Sequence, residues 1–209
     1  MADFRLHCFG ESGNAYKAAL MLELCRLPWE PVAVDFFKGE TRGPEYRAQV
    51  NEMGEAPVLE HQGRKLTQSG VILDYLAEIT RKFGAKSDDE RREIWRWILF
   101  DNHKFTASLA SLRFLIRFAR SGETPVTDFL RGRAVSALKI ADLHLAERPF
   151  IIGKRPTIAD LSMAGYLFYG EELAVPLDPH VNVMKWLDRI QALPGWKHPY
   201  ELMPRVWAG

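Results

Sequence analysis

The first 80 residues alternate strand-like with helix-like segments, and this order constrains the fold more than any other feature of the sequence. Phe4–Phe9 is short, apolar and aromatic, as a buried strand would be. Ala15–Arg26 is almost wholly apolar and long enough for a mostly buried helix. Trp29–Phe36 alternates apolar side chains on one face, and Pro31 within it cannot donate to a neighbouring strand. We therefore expect a strand, a buried helix and an edge strand.

A second set of segments completes this half of the chain. Pro44–Val50 begins with a proline that suits the first turn of a helix. Pro57–Glu60 and Lys65–Thr67 flank Gln62–Gly63 as the strands of a hairpin flank their turn. An amphipathic helix then follows Ser69, which is well placed as its N-cap. The order βαβαββα predicts a mixed four-stranded sheet covered by helices.

The composition changes at residues 80–87, a polar and basic stretch with the character of a linker. Beyond it only helical patterns occur, with capping residues or helix breakers at their ends. They predict helices over residues 88–119, 126–147, 157–169 and 182–193. The fold class is therefore α/β plus all-α: an α/β domain over residues 1–80, a linker over 81–87 and a helical bundle over 88–209.

Composition and charge exclude several classes of protein. The net charge of +1 argues against a basic surface for nucleic acid or an anionic membrane. Cys8 and Cys25 are the only cysteines, and the six histidines lack metal-ligand spacing, so neither a disulfide scaffold nor a metal site is expected. No signal peptide and no apolar run of the ~20 residues that span a bilayer are found. We expect a cytoplasmic protein.

The βαβ–ββα order, with Ala56 and Pro57 leading into the third strand, resembles the thioredoxin fold. Enzymes of that fold usually carry Cys-x-x-Cys where the first strand meets the first helix. The corresponding stretch here is Ser12–Ala15, which contains no thiol. If this turn takes part in a reaction, the sulfur must arrive with a ligand.

Four motifs resemble those of the cytosolic glutathione transferase family, in the same order and at the spacing of that family. They are Ser12–Lys17, Asn51–Pro57, Gln68–Ser69 and the pair Thr157 and Asp160. Each motif is short, but together they extend the resemblance over nearly the whole chain, and the domain break falls in the right place. The resemblance implies glutathione as co-substrate, transfer of its thiolate to small hydrophobic electrophiles, and a homodimer.

Ser12 and Asn14 are the candidate catalytic residues. A thiol with an ordinary pKa near 8.5 is mostly protonated at neutral pH, and the thiolate is the nucleophile. Hydroxyl or amide donors at the positive end of a helix would favour the thiolate. The resemblance allows either residue to carry this role and does not rank them. The alternative is that one of them merely caps the helix.

The resemblance also implies where the rest of glutathione binds. Gln68 and Ser69 match the element that holds the γ-glutamyl end, where a helix N-terminus favours a carboxylate. Ala56 and Pro57 match the family's cis-proline site, at which the backbone of Ala56 would pair with the cysteinyl residue of the ligand.

The sequence departs from the commoner family pattern near the glycyl carboxylate of the ligand. Asn51–Glu52 stands where Asn-Pro is usual, and Glu55 stands where Lys is frequent. Because Glu55 would repel a carboxylate, Lys38 or Arg42 is the alternative source of positive charge.

Asp101 and its neighbours are the candidates in the helical half. The resemblance implies that Asp101 reaches the α-amino group of glutathione across a dimer interface, and the alternative is a salt bridge to an arginine of its own domain. Phe100, His103 and Phe105 are candidates for an electrophile pocket. A stripe of aromatic residues at helical spacing is more often part of the core.

Three rivals to the transferase hypothesis stay open. Glutathione-dependent reduction of disulfides or peroxides uses the same scaffold and needs no protein cysteine. A non-catalytic glutathione transferase-like protein would bind ligands or partners, and Glu55 favours it. An unrelated protein whose motifs coincide by chance would be indicated by a trans Ala56–Pro57 bond.

Overall fold

The computed structural model describes residues 3–208, and the chain divides into two compact units. One unit holds the chain up to Lys82 and again from Pro194 onward, and the other is Phe83–Leu193. The predicted fold class is confirmed, with a thioredoxin-like first unit and a helical second unit.

Within residues 3–82 the elements follow the predicted order. They are β1 (Phe4–Cys8), α1 (Gly13–Cys25), β2 (Trp29–Ala33), α2 (Pro44–Gln49), β3 (Val58–His61), β4 (Arg64–Thr67) and α3 (Ser69–Thr80). The sequence did not predict a short 3₁₀ turn over Glu40–Arg42. Helix α1 is buried on nearly all sides and packs against β1 and α3, as its apolar sequence requires.

The four strands form one mixed sheet in the order β2-β1-β3-β4. Strand β2 is parallel to β1, whereas β1–β3 and β3–β4 are antiparallel. Pro31 lies on the edge strand β2, opposite Leu6, where its missing N–H costs little. Gln62 and Gly63 form the predicted hairpin turn with φ angles of 50° and 74°, the left-handed conformation of a two-residue turn.

The second unit is helical throughout its regular elements. They are α4 (Asp88–Phe100), α5 (Thr106–Arg113), α6 (Pro125–Leu145), α7 (Ile158–Ala164), a 3₁₀ segment (Leu167–Leu173) and α8 (Val181–Gln191). Ser87 caps α4 by accepting the N–H of Glu90 at 3.1 Å, as predicted. The long helix predicted up to residue 119 is continuous but contains π-helical turns at Asp101–Phe105 and Phe114–Phe118.

The capping box that starts α7 is present. Thr157 accepts a backbone N–H of the helix, and the Asp160 carboxylate accepts the N–H of Thr157 at 2.7 Å. Asp160 is fully buried and also accepts the indole N–H of Trp186 at 2.9 Å. The helix ends at Ala164 rather than at residue 169, since the chain continues as a 3₁₀ segment in which Gly170 has a φ of 55°.

The helical unit ends earlier in the chain than predicted. The helical domain was expected to extend to residue 209, but the chain from Pro194 packs with the first unit. The hydroxyl of Tyr16 donates to the Lys197 carbonyl at 2.8 Å, and Lys197 pairs with Glu23 at 2.9 Å. A short helix, α9 (Pro199–Leu202), also packs against α1. Periodicity identifies the apolar face of a helix but not the element that covers it.

Two further findings concern membranes and metals. Over residues 3–208, every helix falls short of the length and apolar composition that crossing a bilayer requires. The same residues contain no group of three or more His, Cys, Asp or Glu side chains arranged to hold a metal ion.

Candidate active site

The register of the strands places three predicted site segments at the same end of the sheet. His7 pairs with Val58, and Val58 pairs with Thr67. The chain that leaves β1, the chain that enters β3 and the chain that leaves β4 therefore lie side by side. These carry Ser12, Ala56–Pro57 and Gln68–Ser69 respectively. Residues more than 50 positions apart thus form one continuous rim of the first unit.

Ser12 closes the turn Phe9–Ser12, which we call the opening turn, and begins α1. Its N–H donates to the Phe9 carbonyl at 3.0 Å, and its hydroxyl oxygen accepts the N–H of Ala15 at 3.1 Å. A hydroxyl that accepts this bond keeps its own proton to donate. The first turn of α1 contains no acidic residue, so its positive end is not neutralised from within the helix. Capping and donation to a ligand are therefore compatible in Ser12.

Asn14 follows within the first turn of α1. Its side-chain oxygen Oδ1 is buried and has no hydrogen-bond partner among residues 3–208. Buried polar atoms are nearly always paired, and an exception calls for an explanation such as a ligand or a water. Asn14 thus has an unused acceptor in the first turn of α1, whereas donation to a thiolate would come from its amide Nδ2.

The protein's own thiols are poor nucleophiles. Burial raises the pKa of the Cys8 thiol to about 12. Burial also raises the pKa of Cys25, and the hydrogen bond to Thr80 opposes this only in part. Because the thiolate is the reactive form, neither cysteine supplies reactive sulfur at neutral pH.

The segment before β3 is held by side chains of α2 and of the segment itself. The Ala56–Pro57 peptide bond is cis, which confirms the expectation taken from the resemblance. The Glu55 carbonyl accepts the hydroxyl of Tyr46 at 3.1 Å and the side-chain amide of Asn51 at 2.8 Å. Burial raises the pKa of Tyr46 to about 12, so its hydroxyl stays a donor at neutral pH. These contacts hold the backbone beside Ala56 in place.

Gln68 and Ser69 lie at the start of α3. Gln68 is the N-cap, with a φ of 65°, and Ser69, predicted as the N-cap, is instead the first helical residue, so α3 begins one residue earlier than predicted. The Gln68 side chain does not cap the helix but donates to the Glu55 carboxylate at 2.8 Å. The first N–H groups of α3 therefore donate to no side-chain cap. They are available to bind an anion.

The two candidate cations for a glycyl carboxylate differ in their surroundings. Lys38 lies 2.8 Å from the Asp35 carboxylate, and this hydrogen bond raises the pKa of Lys38. Its side chain is 85% exposed, so the ion pair competes with water. Arg42, at the end of the 3₁₀ turn, makes no hydrogen bond or ion pair to another side chain within residues 3–208. Of the two, Arg42 therefore has the charge that no side chain of residues 3–208 already pairs.

The structure argues against a ligand contact by Asp101. Its side chain is 0% exposed, and its two carboxylate oxygens accept the hydroxyls of Thr106 at 2.5 Å and Ser162 at 2.6 Å. A buried carboxylate needs such donors. The predicted contact with a glutathione amino group is corrected accordingly: Asp101 joins the π-helical turn after α4 to α5 and α7 inside the helical unit.

The proposed pocket residues of the helical unit do not behave alike. Phe105 is fully buried in the core, which corrects its assignment to a pocket. Phe100 is partly buried and packs edge-on against Trp97, with ring centroids 5.4 Å apart. His103 is exposed. The three side chains thus range from fully buried to exposed, which does not support a common pocket.

Two residues that support the site were missed by sequence reasoning. Tyr46 holds the Glu55 carbonyl, and Glu11 is a buried carboxylate within the opening turn. A tyrosine in a short helix and a glutamate in a turn usually lie on the protein surface, so neither residue stands out in the sequence. Only their partners, which are distant in the chain, reveal the roles.

Comparison with known proteins identifies the family. The family model of the glutathione S-transferase N-terminal domain matches residues 4–78, and that of the C-terminal domain matches residues 106–194. The crystal structure of a possible glutathione S-transferase from Rhodopseudomonas palustris is 30% identical, covers 94% of this chain and 89% of its own, and has a TM-score of 0.88. Glutathione S-transferase F14 of Arabidopsis thaliana is 29% identical, over 94% of this chain and 83% of its own.

A third relative was crystallised with ligand. This glutathione transferase family member from Pseudomonas fluorescens is 26% identical, covers 92% of this chain and 89% of its own, and has a TM-score of 0.81. Its structure contains two bound glutathione molecules. With fold, rim and comparisons in agreement, the chain belongs to the glutathione S-transferase family.

Proposed function

We propose that this protein is a glutathione transferase, which joins the glutathione thiolate to small hydrophobic electrophiles. The observation that carries the proposal is the common rim of Ser12, Ala56–Pro57 and Gln68–Ser69, which follows from the pairing of His7 with Val58 and of Val58 with Thr67. The buried, protonated Cys8 and Cys25 support a reaction in which the sulfur comes from the ligand.

The proposed binding mode follows the rim. The γ-glutamyl carboxylate binds the uncapped N-terminus of α3 at Ser69, with Gln68 beside it. The cysteinyl backbone pairs with the backbone of Ala56, which Pro57 follows. The glycyl carboxylate binds Arg42, and Lys38 contributes less because the nearby Asp35 carboxylate, 2.8 Å from it, repels a second anion.

The proposed chemistry begins with loss of the thiol proton to solvent. The Ser12 hydroxyl, the Asn14 amide and the positive end of α1 favour the thiolate, so the pKa of the bound thiol falls below its ordinary value. A sulfur lone pair then forms a bond to the electrophilic carbon. With an aryl chloride, the carbon–chlorine bond breaks and its electron pair leaves with chloride.

The experiment compares the wild type with Ser12→Ala and Asn14→Ala, using glutathione and 1-chloro-2,4-dinitrobenzene. At least one substitution should raise the kinetic pKa of the bound thiol by about one unit, which corresponds to about 1.4 kcal/mol. Conjugation near neutral pH should then slow roughly tenfold, because the fraction of thiolate falls by that factor. Circular dichroism establishes that each variant is folded. Wild-type rates and pH profiles in both variants would overturn the catalytic assignment.

We also propose that the protein is a homodimer. Met53 and Val71 in the first unit are apolar side chains, 54% and 45% exposed, that a second copy would cover. Light scattering coupled to size-exclusion chromatography measures the mass directly, and a monomer at micromolar concentration would contradict this part of the proposal.

Glutathione-dependent disulfide reduction is the second candidate. It is favoured by the relative from Pseudomonas fluorescens that binds two glutathione molecules, because two thiols are oxidised when one disulfide is reduced. Hydroxyethyl disulfide with excess glutathione tests it, since each turnover releases two mercaptoethanol molecules and one glutathione disulfide. A protein that binds glutathione but shows neither activity would instead be a binding protein.

A further inference from the structure

A buried carboxylate lies directly before Ser12. The side chain of Glu11 is 1% exposed, and its two oxygens accept the backbone N–H groups of Val206 and Trp207, each at 3.2 Å. The guanidinium of Arg205 lies 4.0 Å from the same carboxylate. A carboxylate buried to this extent is stable only with such donors, so its partners determine where it can lie.

The residues that meet Glu11 belong to Pro204–Trp207, which we call the C-terminal segment. The N–H of Gly10 donates to the Pro204 carbonyl at 2.6 Å, so the segment is attached to the opening turn at two successive residues. A Cβ added to Gly10 would lie 3.2 Å from the carbonyl oxygens of Met203 and Pro204. The two stretches of backbone are thus in direct contact.

The C-terminal segment also contacts an apolar cluster of the first unit. Val206 packs against Phe9, Val34 and Tyr46. The ring centroid of Trp207 lies 6.5 Å from that of Phe37. Phe37 belongs to the loop that carries Lys38. The matched family regions end at residue 194, so this contact comes from a part of the chain outside both family models.

We propose that Glu11 is a positioning residue that acts through the C-terminal segment: its carboxylate fastens Pro204–Trp207 to the opening turn and thereby holds Ser12 where bound glutathione needs it. This inference rests on the proposed function, because the position of Ser12 matters only if Ser12 meets a ligand. Within the opening turn the N–H of Ser12 donates to the Phe9 carbonyl at 3.0 Å, and the segment adds the contacts to Gly10 and Glu11.

The experiment uses the full-length protein, a version that ends at Met203, Glu11→Ala, and the two changes combined. Each change should raise the KM for glutathione about tenfold, the loss expected for charge-assisted hydrogen bonds, with the KM for the electrophile unchanged. Because every contact that Glu11→Ala removes is also removed by the truncation, the combined variant should be no worse than the truncated one. Thermal unfolding establishes that each variant is folded.

Gly10→Ala gives an independent test, because its methyl group displaces the segment without removing the carboxylate. It should raise the KM for glutathione in the same direction. Glu23→Gln is the matched control, since Glu23 is a carboxylate of α1 that also binds the returning chain, through Lys197 at 2.9 Å, but at the far end of the helix. Its KM for glutathione should equal that of the wild type.

Hydrogen exchange separates failure of this inference from failure of the proposed function. Glu11→Ala should speed exchange of the Val206 and Trp207 amides whether or not the protein binds glutathione. Unchanged exchange would overturn the attachment itself. Faster exchange with an unchanged KM for glutathione would overturn the positioning role. The positioning role would also be overturned if the increases in KM of the two changes multiplied in the combined variant. Absence of glutathione binding in the wild type would instead refute the proposed function.

Discussion

The amide N–H of Ala15 donates to the hydroxyl oxygen of Ser12 at 3.1 Å, and this bond leaves the hydroxyl proton free. One side chain can therefore stabilise α1 and also donate to a ligand. The two roles can be separated by experiment, because they depend on different atoms of the same group.

Substitution of Ser12 should separate stability from activity. Ser12→Ala loses the cap and should lower the free energy of unfolding by about 1 kcal/mol, whereas Ser12→Gly should lose only a few tenths, since glycine is tolerated at an N-cap. Both variants lack the hydroxyl, so both should slow conjugation equally. Urea unfolding and kcat/KM measure the two effects. Equal stabilities with unequal rates would contradict this division.

Substitution of Arg42 should weaken glutathione binding more than substitution of Lys38. Arg42→Ala should raise the KM for glutathione roughly threefold, the size expected for an exposed ion pair, and Lys38→Ala should have little effect because Asp35 already pairs with it. The glycyl ethyl ester of glutathione, which lacks the charge of the glycyl carboxylate, is the control ligand, and its KM should not respond to Arg42→Ala. The reverse order of the two variants would assign the contact to Lys38.

Asp101 should contribute to stability and not to binding. Asp101→Ala leaves the hydroxyls of Thr106 and Ser162 without their acceptor and should lower the free energy of unfolding by about 3 kcal/mol. Asp101→Asn should cost less, since an amide oxygen still accepts and a hydroxyl can also accept. Chemical denaturation measures both.

The binding readout for Asp101 uses the folded Asp101→Asn variant. Its KM for glutathione should equal that of the wild type. A raised KM with unchanged stability is what the family-derived role predicts, and it would reinstate Asp101 as a ligand contact.

His144 should make stability depend on pH. Burial lowers the pKa of His144 below 6.5, helped by Arg148 and Arg96 and opposed by the Ile151 carbonyl and by Glu93. The unfolded chain therefore binds the proton first as the pH falls. Stability should be full above pH 6.5 and decline as the pH drops through 6.5 toward the lower pKa of the folded state.

Urea unfolding at pH 8 and at pH 5.5 measures this dependence. His144→Asn should lose less stability between the two pH values than the wild type does. The exposed His103 provides the matched control, and His103→Asn should retain the full decline. An undiminished decline in His144→Asn would show that other groups cause it.

Sequence reasoning located the elements of the first unit well because local signals coincide there. The hairpin turn at Gln62–Gly63 and the edge position of Pro31 both follow from backbone chemistry that a short stretch of sequence carries. The resemblance to the family added the cis bond before Pro57, which no local property of Ala56 dictates.

The hydrogen-bond partners of buried polar groups could not be predicted from the sequence. Asp101 stood among apolar residues and was expected to meet either a ligand or an arginine, yet hydroxyls of Thr106 and Ser162 face its oxygens. Glu11 attracted no attention because its donors lie some 195 residues away in the chain. Such pairings depend on how elements pack, and periodicity carries no information about that.

By itself the sequence determined the order of strands and α-helices over residues 3–82, the caps that begin α1, α4 and α7, and the absence of a reactive thiol from the opening turn, because each depends on residues close together in the chain. The tertiary structure alone decided that the chain from Pro194 returns to the first unit, and that Ser12, Ala56–Pro57 and Ser69 share one rim. The reason is physical: local backbone preferences act over a few residues, whereas strand register and the burial of Glu11 depend on contacts between segments that meet only in the folded protein.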